Sequence, residues 1–478
     1  MFLGIDLGTS GLKATLIDDR QQVLGTQSVA LQVSRPQPGW SEQSPADWIA
    51  AAEAALGALA RDHDLGRLAG IGLSGQMHGA VALDAAGEVL RPAILWNDGR
   101  AAAEAAELDA LPGVRALSGN IVFAGFTAPK LLWMARHEPA VFARVACVLL
   151  PKDYLRLWLT GERVSDMSDA SGTSWLDVGA REWSDRLLDA SGMSRAQMPA
   201  LVEGSAPSGR LRPALARQWG IRGPVVVAGG AGDNAATAIG AGTIAEGQGF
   251  VSLGTSGVVF AASDRFLPAP ETAIHAFCHA LPGRWHQMGV ILSAAAALEW
   301  LAGVLGEPPA RLTEGLGALK PPGSPLFLPY LSGERTPHND PRARGLLAGI
   351  TPGTDRDALT RAVLEGVAFA LADSLTALRA AGARPEALLA LGGGARSDYW
   401  LRVIAATLDL PVLVPAGGEH GAAHGAARLG MMAATGAGPA EICTAPPIAA
   451  RILPDVALRP AFAEALARFR ALYPASRG

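Results

Sequence analysis

Short apolar runs separated by small polar turns recur along this chain, and two pairs of them flank the same five residues. Residues 1–5 and 12–17 read as strands on either side of Leu7-Gly8-Thr9-Ser10-Gly11, and residues 249–252 and 258–262 on either side of Leu253-Gly254-Thr255-Ser256-Gly257. Each pair predicts a β-hairpin with that turn at its tip. After the first hairpin, an Ala-rich stretch over 46–61 with Trp48, Leu56 and Leu59 at helical spacing predicts a helix, and 68–73 the strand that follows. The apolar run 225–228 ends in Gly229-Gly230-Ala231-Gly232, then Asp233-Asn234 opens a helical pattern over 235–242. Further on, 357–379 reads as a long helix, 387–391 as a strand, 397–408 as a helix capped by Ser397 or Asp398, and 461–472 as a last helix. Strands alternating with helices give an α/β class. The two hairpins open comparable halves, the spacing of a duplicated domain rather than of a solenoid, with a boundary at Gly242 that separates domains 1–242 and 243–478.

Composition narrows the function. A chain of 478 residues, 49% hydrophobic, has enough apolar material for two cores. Its net charge of −4 and the lack of a Lys/Arg stripe argue against nucleic acid as a partner. No uninterrupted apolar stretch reaches the length of a membrane span, so no membrane is expected. The first residues carry no basic segment, and Asp6 breaks their apolar run, which argues against a signal peptide. Cys147, Cys278 and Cys443 are odd in number and far apart, which fits a reducing, cytoplasmic setting.

Several positions carry chemistry. Glycine permits close backbone approach, and the hydroxyls of Thr9, Ser10, Thr255 and Ser256 suit phosphate oxygens, although one such turn alone is ordinary loop composition. The repetition favours a phosphate clamp. Asp6 immediately precedes the first turn, where a carboxylate repels phosphate unless a cation such as Mg²⁺ lies between them; the alternative is an Asp that stabilises its own turn. Asp233 stands between a strand end and a helix start, placed either to take the proton of an attacking hydroxyl or to cap the helix. Gly392-Gly393-Gly394 joins a strand to a helix and either lets a flat group lie against the main chain or is only a tight turn. A G-x-x-x-x-G-K-[ST] loop is absent. Trp96, Trp133 and Trp158 read as core residues. His275 and His279 lie on a predicted hairpin that turns at Pro282-Gly283 and share a face that excludes Cys278, so they read as no metal site. Asp98 and Arg100 are expected to pair, and Lys152-Asp153 to open a helix.

Together with the two turns, the runs Trp40-Ser41-Glu42-Gln43, Ser74-Gly75-Gln76-Met77-His78-Gly79, Leu95-Trp96-Asn97-Asp98-Gly99-Arg100, Gly125 to Trp133, Gly232-Asp233-Asn234, Ser332-Gly333-Glu334-Arg335-Thr336-Pro337-His338 and Gly392 to Ser397 make the chain resemble the FGGY carbohydrate kinases over nearly its whole length. The resemblance implies two ribonuclease-H-like domains of the actin/hexokinase type with ATP and sugar in an interdomain cleft. It places Asp6 on Mg²⁺ and among the catalytic residues, and Thr9, Ser10 and Lys13 along the first phosphate loop. Thr255 and Ser256 fall on the second loop, and Gly393, Gly394 and Ser397 near the adenosine of ATP. Asp233 is the implied general base, and Met77, His78, Asp233 and Asn234 the sugar-contacting positions. Gln76-Met77-His78 points to a ketose, D-xylulose, phosphorylated at its C5 hydroxyl to D-xylulose 5-phosphate with release of ADP, since relatives acting on glycerol present a charged pair there. Ribulose, fuculose or gluconate as substrate, or a sugar sensor without catalysis, are the alternatives. Sugar-driven closure about a hinge near Gly242 and a homodimer are further expectations. His420 and His424 depart from the small or aliphatic residues usual before the Gly-Ala-Ala-Arg-Leu helix, and so bear on the far wall of the adenosine pocket.

Overall fold

Phe2–Leu7 (β1) is apolar at nearly every position because its sheet is covered on both faces. Leu3, Ile5 and Leu7 pack in one core with Trp48, Ala52, Leu56 and Leu59, and the alternate positions, Gly4 and Asp6, face the other way. β1 pairs antiparallel with Gly11–Ile17 (β2), and β2 antiparallel with Val23–Ala30 (β3). Pro45–Asp62 (α1), begun by Pro45 at its first position, supplies the Trp48 to Leu59 stripe. Gly70–Gly75 (β4) then pairs parallel with β1. Pro151–Thr160 (α2) and the short Met167–Ala170 (α3) precede Pro207–Arg210 (β5) and Val226–Ala228 (β6), and the sheet order is β5-β6-β4-β1-β2-β3. Ala231–Gly232 (β7) also pairs with β4, beside Ser74 and Gly75, and leads straight into Asp233–Ala241 (α4).

A second sheet follows the same plan. Gln248–Leu253 (β8) and Gly257–Ser263 (β9) form the second antiparallel hairpin, and His275–Cys278 (β10) and Trp285–Ile291 (β11) the third. Ala295–Leu305 (α5), Pro309–Thr313 (α6) and the long Arg356–Ala380 (α7) lead to Ala387–Leu391 (β12), which pairs parallel with β8 as β4 does with β1. Asp398–Leu408 (α8) connects to Val412–Pro415 (β13), parallel to β12. After Ala422–Thr435 (α9) come Ile448–Ile452 (β14) at the sheet edge and Arg459–Ser476 (α10). The order is β10-β11-β9-β8-β12-β13-β14.

The computed structural model describes residues 1–417 and 420–477 and falls into two units. Unit 1 comprises Met1–Ile244, Phe277–Trp285 and Gly418–Ala445; unit 2 comprises Ala245–Ala276, His286–Gly417 and Pro446–Gly478. Both hairpins that the apolar runs predict are present, and their turns differ. Leu7 pairs with Leu12, which leaves Gly8 to Gly11 in the first turn, whereas Leu253 pairs with Gly257, which leaves only Gly254 to Ser256 in the second. Among the described residues no helix is long and apolar enough to cross a membrane.

In unit 1, α9 lies so close to β1 and β4 that Gly4, Gly70 and Gly72 admit no side chain, the tightest being Gly4 and Gly72. A Cβ on Gly4 would sit 1.8 Å from the Ala423 carbonyl oxygen, and one on Gly72 1.7 Å from that of Ala426. Since both obstacles are backbone, Gly72→Ala can only be accommodated by lifting α9 off the sheet. We expect a loss of at least about 3 kcal/mol in urea unfolding; a loss under about 1 kcal/mol would contradict this packing.

Candidate functional site

Asp6 is the next-to-last residue of β1, opposite Lys13 on β2 and level with Ser74 on β4. Its Oδ1 is buried without a hydrogen-bond partner. Burial first, and the charge of Asp233 second, push its carboxyl up to about 6, against the pull of Ser74 and Lys13. An orphaned anionic oxygen beside a second carboxylate is a donor set that a hard cation satisfies.

The first turn is held by a relay of side chains. Trp48 Nε1 donates to Gln43 Oε1 (3.1 Å), Gln76 Nε2 donates to the same oxygen (2.9 Å), and Gln43 Nε2 donates to the Thr9 carbonyl (2.8 Å). Thr9 Oγ1 donates to Gln76 Oε1 at 2.8 Å and accepts Trp96 Nε1 at 2.9 Å. The one hydroxyl proton of Thr9 is thus committed within the protein, so toward a phosphate Thr9 offers its backbone N–H rather than its hydroxyl. Ser10 is exposed and Lys13 half-buried. Trp96, read from sequence as core, is 44% exposed, because its indole nitrogen is drawn to Thr9 on the turn. Trp133 is buried and Trp158 half-buried.

Met77, His78, Asp233 and Asn234 come from β4's end and α4's start. Met77 packs on Gly232, where a Cβ would meet its sulfur at 2.8 Å. His78 has φ +69°, in the left-handed region, and is locked there by Thr127 Oγ1 (3.1 Å) and Lys130 Nζ (2.8 Å), both donating to its carbonyl. Its ring stacks on Phe126 at 4.3 Å, and Nδ1 lies 2.6 Å from the Gly172 carbonyl. A carbonyl only accepts, so Nδ1 carries a proton.

Asp233 does not hold the N-cap position of α4. Gly232 takes the extended conformation of the N-cap, and Asp233 is the first helical residue. Its Oδ1 accepts the Asn234 N–H (2.8 Å) and Asn234 Nδ2 (3.1 Å). Burial raises the carboxyl above its ordinary range, while the Asn234 bonds pull it down. The carboxyl thus satisfies one first-turn N–H of α4 from the first helical position, and burial makes it more basic than an ordinary carboxylate.

Unit 2 carries the second turn and a cavity of about 460 Å³. The Gly254 and Thr255 carbonyls accept the N–H groups of Ala295 (2.8 Å) and Ala294 (2.9 Å), which ties the turn to the start of α5. The cavity is walled by Gly393, Gly394, Arg396, Ser397 and Trp400 on one side and by α5 and α6 on the other. The glycine run is a tight turn with one open position. Gly392 has φ +85° and Gly394 leaves no room for a Cβ against Leu253 and Trp400, whereas a Cβ on Gly393 would meet nothing. Ser397 lines the cavity and also caps α8, its Oγ accepting the Trp400 N–H at 3.3 Å.

Other expectations sort by environment. Arg100 grips Asp98 through Nε (2.9 Å) and Nη2 (2.7 Å), with Trp40 stacked 3.6 Å from the guanidinium. His279 Nε2 bonds the Thr243 carbonyl in unit 1, and His275 Nε2 lies 3.3 Å from Arg335 in unit 2. Each ring therefore has a partner of its own through Nε2. His424 sits buried on α9, pushed down to about 3 by burial, then by Arg428 and His420. Gly418 and Glu419 of that departure lie outside the described residues, and the cavity is lined by residues of unit 2 alone. Sequence reading missed Gln43, Thr127 and Lys130, which bond Thr9 and His78 across 34 to 52 positions, and a buried charge cluster around Lys152, which closes only when Asp166 and Asp169 come to Lys152.

Glu334, in the Ser332 to His338 run, accepts the N–H groups of Leu292 (2.9 Å) and Arg335 (2.7 Å) through Oε1, while Oε2 is buried without a partner. Burial pushes its carboxyl up from 4.5 to about 8. The folded state therefore holds a proton that the unfolded chain releases near 4.5; the stability this represents is complete below that pH and is lost as pH rises toward and through 8. Glu334→Gln should flatten the fall in melting temperature over that window, and an unchanged pH slope would show that Glu334 is ionised in the fold.

Each unit leads with a hairpin and adds parallel strands on the far side of its first strand, the paired architecture of the actin/hexokinase-type sugar kinases. The chain belongs to the FGGY family of carbohydrate kinases, whose N-terminal domain matches residues 1–240 and whose C-terminal domain matches residues 249–434. It is 50% identical to the xylulose kinase of Escherichia coli strain K12, over 99% of this chain and 98% of that one. It is 52% identical to the xylulose kinase of Klebsiella pneumoniae, over 91% and 90%. Among solved structures, a protein from Brucella ovis described as a xyloylose kinase superposes with a TM-score of 0.98, at 60% identity over 99% of each chain.

Proposed function

We propose that this carbohydrate kinase transfers the γ-phosphate of ATP to the C5 hydroxyl of D-xylulose, giving D-xylulose 5-phosphate and ADP, with Asp233 as general base. The observation that supports the reading is Asp233 itself, a half-buried carboxyl raised above its ordinary range by desolvation, whose neighbour Gly232 packs against Met77. The names of the similar proteins point to the same ketose. Unit 1 holds the sugar. Met77 and His78 contact it from the end of β4, and Asn234, whose amide N–H binds Asp233, keeps its carbonyl oxygen for one of its hydroxyls. Unit 2 holds the nucleotide, with the base and ribose against Gly393, Gly394 and Ser397 and the phosphates toward Thr255 and Ser256.

As the sugar oxygen attacks in line, Asp233 takes its proton. The backbone N–H groups of Thr9 and Ser10, with Lys13, stabilise charge on the phosphate oxygens. Asp6 would hold Mg²⁺, which when bound supplies a positive charge to the phosphates. The three cysteines are free and buried, consistent with a cytoplasmic setting.

Release of ADP in a coupled assay across a panel of ketoses, alditols and aldonates tests the substrate. The highest kcat/KM is expected with D-xylulose. A higher value with another sugar would overturn the substrate, and no turnover at all would favour a sensor.

A further inference from the structure

Five charged side chains of unit 1 are fully shielded from solvent: Lys152, Asp153 and Arg156 on α2, Asp166 just before α3, and Asp169 within it. Lys152 Nζ lies 2.5 Å from Asp153 Oδ1, 2.6 Å from Asp166 Oδ2 and 3.1 Å from Asp169 Oδ2. The three carboxylates are spaced as metal ligands are, but the ammonium of Lys152 supplies their cation. Burial pushes the Asp169 carboxyl far up, against the pull of Lys152, and Arg156 Nη2 adds a second cation 3.1 Å from Asp153 Oδ1. Burying five ionisable groups is costly, and apolar residues would fill the space at less expense. What the cluster does is visible in its outward bonds.

Arg156 Nη1 donates to the Ala228 carbonyl at 2.5 Å, and Nη2 to the Gly229 carbonyl at 2.5 Å. Asp166 Oδ1 accepts the Ser168 hydroxyl at 2.5 Å. With its proton so committed, Ser168 Oγ accepts the N–H of Gly232 at 3.1 Å. The segment from Ala228 to Gly232 is therefore clamped at both ends, and Gly232 is the cap from which Asp233 projects. Inside the clamp there is no slack, since a Cβ on Gly229 would meet the Glu203 carbonyl oxygen at 2.2 Å and one on Gly230 that of Leu73 at 2.3 Å.

We propose that Arg156 and the Asp166–Ser168 pair are positioning residues for the general base, fixing the backbone that carries Asp233. This rests on the reading of Asp233 as that base. The bond most specific to the proposal is that from Gly232 to Ser168, because losing it frees the residue adjoining the base while leaving the ion pairs in place.

The test measures kcat, sugar KM and melting temperature for Ser168→Ala and Ser168→Thr, in the wild-type and in an Asp233→Ala background. Misplacement of a reacting group costs up to about 10²-fold in rate. Ser168→Ala should lower kcat about tenfold or more with sugar KM within about threefold, Ser168→Thr should restore most of the loss, and Ser168→Ala should add nothing once Asp233 is gone. An unchanged kcat, or an equal loss in the Asp233→Ala background, overturns the positioning role. Should Ser168→Ala fail to fold, Arg156→Lys, which keeps the charge but cannot span two carbonyls, must show the same split between kcat and KM, and its absence overturns the proposal. Near wild-type turnover by Asp233→Ala alone would instead remove the base assignment.

Discussion

Asp233→Ala is expected to lower sugar phosphorylation on the order of 10² to 10⁴-fold while leaving nucleotide affinity within about twofold, which is the range a positioned general base contributes. The separation of effects follows from where the groups lie. Asp233 belongs to unit 1, whereas the cavity walled by Gly393 and Gly394 belongs to unit 2. Asp233→Asn sharpens the test, because the amide oxygen still accepts from Asn234 but has no basicity. It should be as inactive as the alanine variant. Steady-state turnover and calorimetric titration with ADP give the two numbers. Turnover near wild type in either variant would mean that the sugar hydroxyl loses its proton elsewhere.

The second large effect is on stability. Lys152→Met removes the ammonium from among Asp153, Asp166 and Asp169 and leaves buried carboxylates without their cation. Breaking such a pair costs about 3–5 kcal/mol, against about 0–1 kcal/mol for an exposed one. The carboxylates can relieve the repulsion only by taking protons, so the deficit should shrink as pH is lowered. Urea unfolding of both proteins at several pH values reads this directly. A deficit below about 1 kcal/mol, or one that does not depend on pH, would show that the cluster is solvated.

Much of the fold was legible because its signals are local. The two hairpins, the strand 387–391 and the helix capped by Ser397 rest on alternation, helical spacing and a capping hydroxyl, each readable within a dozen residues. The site was legible in outline for the same reason, since small residues and hydroxyls cluster in the turns. What could not be read depends on partners far away in the chain. Thr9 looks like a phosphate donor until Gln76 and Trp96 are seen to occupy its hydroxyl. Trp96 reads as core because large aromatics usually are, and it is exposed because its indole N–H follows Thr9. Asp233 is not the N-cap because Gly232 takes that conformation, and its Oδ1 serves the helix from the first helical position instead, accepting the Asn234 N–H. Lys152, Asp153, Arg156, Asp166 and Asp169 look like surface charges in sequence, and only their mutual pairing allows them to be buried.

Transfer to the C5 oxygen with Asp233 as base is read most directly from the product. With D-xylulose, ATP and Mg²⁺, one phosphoester is expected, on C5 in a proton–phosphorus correlation spectrum, formed in step with ADP and suppressed at least about a hundredfold by Asp233→Asn. Phosphate on another carbon, or ADP released without a phosphoester, would contradict it.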